Sequence, residues 1–300
     1  MNDQPKDTVM ITGASGRVGR LLIGALSGAL SGALSAALSA ALPDQTVPVT
    51  LSHRRPERIS PALPELQWDP LTGPDPLRDW CDRHGTPRAM IVLAGSTPST
   101  GVDMAINRDV ALASVDAARA LGVRRILLAS SSAVYGVGRD APWSEAEAVD
   151  PPTAYGQAKL AMENACAGPD VCALRIGNVA GADALLTNPQ RPLIIDRFAP
   201  GHGPLRSYIG PRSLARVLLA LATTPRHLPA VLNIGTPQPV DMADLARAAS
   251  IPFDWREAGA QATGRLVLNC DLLETFVSFL DTETTAPGLV AQWRACRTDR

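Results

Sequence analysis

Aromatic residues are scarce, 4% of the 300 positions, so alanine, leucine and valine must fill the interior. The same scarcity removes the interleaved aromatics on which bases stack, and no basic block takes their place. With 28 basic residues against 29 acidic ones and a net charge of −1, the chain offers no general field to a polyanion, which argues against nucleic acid as a partner. Paired cysteines are lacking too. Cys81, Cys166, Cys172, Cys270 and Cys296 are odd in number and form no C-x-x-C, the pattern of reduced, mostly structural thiols in a cytoplasmic protein; no metal site is expected. Apolar residues are plentiful at 46%, enough for one large core or for a larger and a smaller domain sharing an interface.

The stretch from Val9 to Leu42 joins a short β-branched run, a glycine loop and a long apolar pattern without proline until Pro43. That order predicts strand, tight turn and helix. Gly13, Gly16 and Gly19 would let backbone amides at the helix start face an anion, because a helix N-terminus carries unpaired N–H groups and a partial positive charge. A dinucleotide pyrophosphate is the anion this pattern suggests. From Gly24 to Leu42 the chain repeats in tetrads, GALS three times, then AALS and AALP. A four-residue period advances each leucine by about 40° past a full turn, so Leu26, Leu30, Leu34, Leu38 and Leu42 form a winding stripe. The segment from Leu21 to Leu42 is uncharged and long enough to cross a bilayer. Its Gly, Ser and Ala content, and its position after a strand and loop in helical register, weigh against insertion or export.

Farther along, a strand is expected at Val47 to Leu51. In dinucleotide folds an acid at the end of the second strand takes the ribose hydroxyls, whereas arginine accommodates a 2′-phosphate. Here Arg54 and Arg55 stand in that place, which favours NADP over NAD. A short strand at Leu66 to Trp68, a helix closing at Asp79 to His84, a buried strand at Ala89 to Ala94, a helix from Asp109 to Leu121 and a strand at Arg125 to Ser130 follow. The alternation implies parallel crossovers with helices on both faces.

The chemistry lies in SSSAVYG, Ser130 to Gly136, and in Tyr155-Gly-Gln-Ala-Lys159. Four residues apart on a helix, Tyr155 and Lys159 share a face. A phenol with a reference pKa near 10 is a poor base at neutral pH. A neighbouring ammonium would lower that value, and a serine hydroxyl from the strand end would orient a substrate oxygen. Proton transfer by tyrosine coupled to hydride transfer interconverts an alcohol and a ketone.

These motifs resemble the extended short-chain dehydrogenase/reductase family, the NAD(P)-dependent epimerase/dehydratase group. GASGRVG is similar to its G-x-x-G-x-x-G loop, YGQAK to its Y-x-x-x-K, LRIGNVAG (Leu174 to Gly181) to its L-R-x-x-N-x-x-G, RSYI (Arg206 to Ile209) to its substrate segment and NIG (Asn233 to Gly235) to a later signature. The resemblance runs from about Val9 to about Leu273. It implies an α/β fold, a Rossmann-type doubly wound parallel sheet with a small interleaved C-terminal substrate-binding part. Residues 1–176, with 213–235 returning to them, would form the dinucleotide-binding domain, and 177–212 with 236–300 the smaller part.

By position, the resemblance makes Tyr155 the acid/base, Lys159 its modulator and ribose ligand, and Ser131 the catalytic serine, with Ser132 the neighbouring candidate. It implies cofactor contacts at the loop residues Ser15, Arg17 and Val18 beside the three glycines, and at Asp69, Ala94, Gly95 and Ser130. Asn178, Arg206 and Ser132 would touch substrate. Glu163, one turn beyond Lys159, reads as a helix-surface partner, and Asn107 and Asn178 are open to a turn-bridging reading. The 4,6-dehydratases of this family carry Asp-Glu after the catalytic Ser/Thr; Ser132 and Ala133 hold those places, which disfavours dehydration relative to epimerisation or ketone reduction. Ser213 replaces the family's usual aspartate, and the short C-terminal part weakens the case for a full nucleotide-sugar pocket.

The implied activity is an NADP-preferring epimerase or reductase at a sugar or sugar-nucleotide hydroxyl, and the resemblance implies a homodimer. The alternatives are a reductase of a non-sugar ketone or aldehyde, and a cofactor-binding regulatory protein without turnover. Pro189 to Pro211 is expected as a long binding loop. Helices are expected at Ser213 to Thr223, from Asp241 to Ala249 with Asp244 as a capping-box-like partner, and at Asp271 to Leu280. Between Gly19 and Arg54 the chain exceeds the family spacing by roughly sixteen residues, about 24 Å of helix, so the first helix is expected to overshoot the sheet.

Overall fold

The computed structural model describes residues 6–29, 47–97, 101, 103–188 and 192–297. In its first half, strands and helices alternate: β1 (Lys6–Thr12), α1 (Arg17–Ala29), β2 (Val49–His53), β3 (Glu65–Gln67), α2 (Asp75–His84), β4 (Pro87–Val92), α3 (Ile106–Ala120), β5 (Ile126–Ser131), α4 (Ala154–Cys166) and β6 (Val171–Ile176). The second half is built of shorter pieces: β7 (Asn178–Val179), α5 (Ala184–Thr187), β8 (Leu193–Arg197), β9 (Leu205–Arg206), β10 (Tyr208–Ile209), α6 (Pro211–Thr223), β11 (Val231–Ile234), β12 (Val240–Asp241), α7 (Met242–Ala248), β13 (Phe253–Glu257), β14 (Arg265–Leu266), α8 (Asp271–Glu274) and α9 (Ala286–Cys296).

Among the described residues the main sheet has seven strands in the order β11-β6-β5-β4-β1-β2-β3, every pair parallel. Its strands are near-continuous apolar runs because both faces are covered. Val9 and Ile11 of β1 point to the core beneath α1 and α6, while Met10 between them points to the core beneath α2, α3 and α4, the two-residue period of a strand. The strand order reverses between β1 and its neighbours β2 and β4, and in such sheets the crevice for a ligand opens at the carboxyl ends at that point. The expected α/β, Rossmann-type doubly wound architecture is the one observed. Small sheets β10-β7, β12-β9-β14 and β13-β8 carry the rest.

Several boundaries differ from expectation. β2 begins at Val49 rather than Val47, whereas α2 closes at His84 as expected and starts at Asp75 behind Pro74, with proline in its first turn, a position where a missing N–H costs nothing. The expected loop from Pro189 to Pro211 contains β8, whose alternating buried and exposed residues pair in parallel with β13. α8 ends at Glu274 instead of running to Leu280; Thr275 returns its hydroxyl to Leu272 O at 2.8 Å, a local bond that competes with helix continuation. Asp241 caps α7 by accepting from Ala243 N at 2.7 Å, but Asp244 pairs with Arg247 at 2.6 Å rather than closing a capping box.

α9 was not anticipated. It packs on α1 so closely that a Cβ at Gly24 would lie 2.2 Å from Cys296 O, and this contact explains why the first tetrad begins with glycine. Leu21, Leu22 and Leu26 of α1 are buried; the tetrads beyond Ala29 and their expected overshoot lie outside the described residues. Among the described residues no helix is long and apolar enough to cross a membrane.

Candidate active site

At the end of β1 the chain turns through Gly13 with φ at +73°. A Cβ there would sit 2.4 Å from Ala94 N, so the loop lies directly against the segment after β4. α1 opens at once, and its first intrahelical bond is Arg20 N to Gly16 O, 2.9 Å. The preceding amides of Arg17, Val18 and Gly19 therefore have no acceptor within the helix and carry its partial positive charge. Arg20 Nε, donating to Ser15 O at 3.2 Å, holds the loop in shape. This arrangement fits a pyrophosphate: donors without internal acceptors, at the sheet's topological switch, with no acid among Gly13 to Gly19. Arg17 reaches across the mouth and donates to Thr97 Oγ1 at 2.8 Å.

The loop after β4 is pinned by Asn107, which is completely buried. Its Oδ1 accepts from Ser96 N at 2.8 Å and its Nδ2 donates to Ser96 O and Met104 O, each at 3.1 Å. The bridging reading of Asn107 is thus the one the contacts show, and the loop it bridges contains the expected cofactor neighbours Ala94 and Gly95. A Cβ at Gly95 would fall 3.8 Å from Lys159 Nζ, so the bridge also fixes what lies over the lysine. Asn107→Ala removes the acceptor of the half-buried Ser96 amide, and a loss of about 1–3 kcal/mol is expected in denaturant unfolding, with weakened dinucleotide binding in fluorescence titration; unchanged stability would refute the bridge.

α4 carries Tyr155 and Lys159. Thr153 caps it by accepting from Gly156 N at 3.1 Å, and Gly156 lets it approach the turn Ser132–Tyr135, where a Cβ would meet Ala133 O at 2.4 Å. Tyr155 is half-buried and lies beside Ser131, whose Oγ accepts from Ala133 N at 3.2 Å. Burial pushes the phenol above its ordinary value, against the lowering by Ser131 and Arg17. The lowering expected from Lys159 is thus replaced by these two groups, because the lysine, 6% exposed, gives its Nζ to Ala129 O at 2.8 Å. Burial brings Lys159 down to about 8, opposed by the charge of Glu163.

Two expectations about neighbouring side chains are corrected. Ser130 does not turn its side chain to the cofactor crevice: it is 5% exposed and donates to Glu163 Oε1, since strand alternation sends it to the face opposite its neighbours. Glu163 is not a surface partner either. Its carboxylate is buried against Arg175, with Nη2 to Oε2 at 2.8 Å.

The remaining expected residues are more dispersed. Arg54 lies 3.7 Å from Asp69 in a largely exposed pair, of a kind worth about 0–1 kcal/mol, while Asp69 caps a short turn by accepting from Leu71 N at 3.1 Å. Arg55 pairs with Glu57 at 3.1 Å. Asn178 sits half-buried on β7, its amide bonded to Ser207 O at 2.8 Å. Arg206, on β9, donates to Leu205 O at 2.8 Å and to Thr263 O at 2.7 Å. Ser132 opens the turn beside Ser131. Ser213 is fully buried and donates to Glu283 Oε1 at 2.6 Å, so the residue standing in the aspartate's place is tied to the C-terminal segment.

Residues 9–235 match the sequence profile of the NAD dependent epimerase/dehydratase family. The chain belongs to that family. No curated protein sequence matches it. Solved structures share the fold of this epimerase/dehydratase-family enzyme over nearly its whole length. MoeE5 in complex with UDP-glucuronic acid and NAD is 24% identical, with 96% of this chain and 98% of that one covered at a TM-score of 0.69. A UDP-glucose 4-epimerase from Brucella ovis in complex with NAD is 19% identical, with 95% and 96% covered at 0.74. TunA, an NAD-dependent NDP-hexosamine 5,6-dehydratase involved in tunicamycin biosynthesis, is 20% identical, with 96% and 97% covered at 0.69. At these identities the likeness establishes the fold.

Proposed function

We propose that this family member is an NAD(P)-dependent epimerase or reductase acting at a hydroxyl or ketone of a sugar or sugar nucleotide. The observation that carries the reading is the placement of Tyr155 beside Ser131 on the half-buried end of α4, next to the anion-ready start of α1. Residues 1–176 and 213–235 hold the dinucleotide; 177–212 and 236–300 hold the substrate. Sugar nucleotides are favoured because fold neighbours were crystallised with them.

When bound, the nicotinamide accepts or supplies a hydride at the carbon bearing the reacting oxygen. Tyr155 Oη exchanges the proton with that oxygen. Because burial raises the phenol, it keeps its proton through neutral pH in the free enzyme and is set to donate to a ketone oxygen. Ser131 Oγ orients the same oxygen, and the Lys159 ammonium, held at Ala129 O, would hold the ribose of the cofactor and supply positive charge to the site. Lys159 loses its proton as pH rises through about 8. kcat/KM, which reports the free enzyme, is therefore expected to fall above about pH 8; a flat profile to pH 10 would remove Lys159 from the mechanism.

NADP is the preferred cofactor in this reading, because Arg54 and Arg55 follow β2 where an acid would favour NAD. Ser132 and Ala133, in place of two acids, favour epimerisation or reduction over dehydration. A second reading, reduction of a non-sugar ketone or aldehyde, draws on Arg206, whose guanidinium is occupied by main-chain carbonyls. Incubation of the enzyme with NADP or NAD and a panel of UDP-sugars, free sugars and simple ketones separates these outcomes. An epimerase converts a sugar with no net NADPH consumption, a reductase consumes it stoichiometrically, and a dehydratase yields an unsaturated or deoxy product. Dinucleotide binding without turnover across the panel would overturn the enzymatic reading in favour of a regulatory protein.

A further inference from the structure

One turn beyond Lys159, α4 carries Glu163 into the interior, where the residue is 8% exposed. Its carboxylate accepts from the Ser130 hydroxyl and from Arg175, Nε at 3.2 Å and Nη2 at 2.8 Å. Ser130 on β5 and Arg175 on β6 are register partners, so a single carboxylate ties the helix to two adjacent strands. The matching continues along the helix. Tyr155, Lys159 and Glu163, each four residues from the next, meet Ser131, the Ala129 carbonyl and Ser130, which are consecutive on β5.

We propose that Glu163 is a positioning residue that sets the depth and register of α4 on β5 and β6, and thereby the place of Tyr155 and Lys159 relative to Ser131. This inference rests on the roles proposed above for Tyr155, Lys159 and Ser131. Apolar packing could stabilise the same contact at least as well as a buried ion pair. What directed, charge-assisted bonds add is a fixed rotation and translation of the helix. The carboxylate also acts electrostatically on Lys159. Around that lysine, β5 presents the Ala129 carbonyl and the loop after β4 presents Gly95, backed by Asn107 of α3. Asp116 and Arg119 of α3 act on Cys166 at the other end of α4, Arg175 of β6 faces Glu163, and Arg17 of α1 acts on Tyr155. Removing the negative charge leaves Arg175 unopposed beside the helix, and the ammonium of Lys159 becomes less favourable.

The chain has only two lysines, Lys6 and Lys159, so NMR of the whole protein labelled at lysine Cε reads the Lys159 titration without any turnover. In Glu163→Gln the midpoint is expected to fall by about one pH unit, and kcat to drop about tenfold or more with dinucleotide affinity retained. Glu163→Asp keeps the charge but is one methylene short: the midpoint should return while kcat stays low. If Glu163→Gln does not fold, Ser130→Ala removes a single bond of the clamp and should lower kcat severalfold with the Lys159 midpoint unchanged. An unshifted midpoint in Glu163→Gln, or full kcat in Ser130→Ala, overturns the inference. A shifted midpoint in a protein whose wild type turns over nothing would support the coupling and count against the proposed function instead.

Discussion

Tyr155→Phe is expected to lower kcat by about 10²–10⁴-fold, the range that general acid–base catalysis supplies, while dinucleotide affinity stays within about threefold of wild type. The substitution removes one oxygen and leaves the ring, the helix and its Thr153 cap in place, so the loss falls on proton transfer and not on folding. No other phenol can substitute. The chain has three tyrosines; Tyr135 is 2% exposed and donates to Asn233 Oδ1 at 2.6 Å, and Tyr208 is wholly buried. Steady-state kinetics beside a fluorescence titration of the dinucleotide decide the matter. Turnover within tenfold of wild type would remove Tyr155 from the acid/base role.

Gly13→Ala should abolish dinucleotide binding and destabilise the protein by about 2–5 kcal/mol, combining the strain of a left-handed backbone with overpacking. The atoms that a Cβ would meet, Ala94 N at 2.4 Å and Ala94 Cα at 2.6 Å, belong to the main chain, so no rotamer change relieves the clash. Gly73→Ala is the matched control: its φ is +107° but nothing lies within 4 Å of the added Cβ, so backbone strain acts there alone. Denaturant unfolding of both variants measures the difference. If Gly13→Ala costs no more than Gly73→Ala, the loop does not depend on that close approach.

The candidate site residues are legible in the sequence because their spacing carries geometry. Y-x-x-x-K puts two side chains on one helix face whatever surrounds it, and a glycine loop between an apolar strand and a helix has few other uses. The place of Glu163 is not legible for a related reason. Its spacing from Lys159 shows that they share a face, but a glutamate on a helix is ordinarily solvated, and only the arrival of Arg175 from β6 makes this one internal. Asn107 was weighed as a bridge, yet its target, the loop over Lys159, could not be known before α3 was docked. α9 is not legible because the residues it packs on, Gly24 of α1 against Cys296 and Ser213 of α6 against Gln292, are separated from it by long stretches of chain.

Local pattern therefore determined the alternating strands and helices, the parallel sheet buried on both faces, the anion-ready turn at Gly13 and the placement of Tyr155 and Lys159 four residues apart on one helix, because each depends on residues a few positions apart. The tertiary structure alone decided the charge state and aim of those groups. Burial raised the phenol of Tyr155 and lowered the ammonium of Lys159 to about 8, and Ser130 was turned away to the Glu163–Arg175 pair. Desolvation and long-range ion pairing depend on what packs from distant segments, and that is set by the assembled core rather than by spacing along the chain.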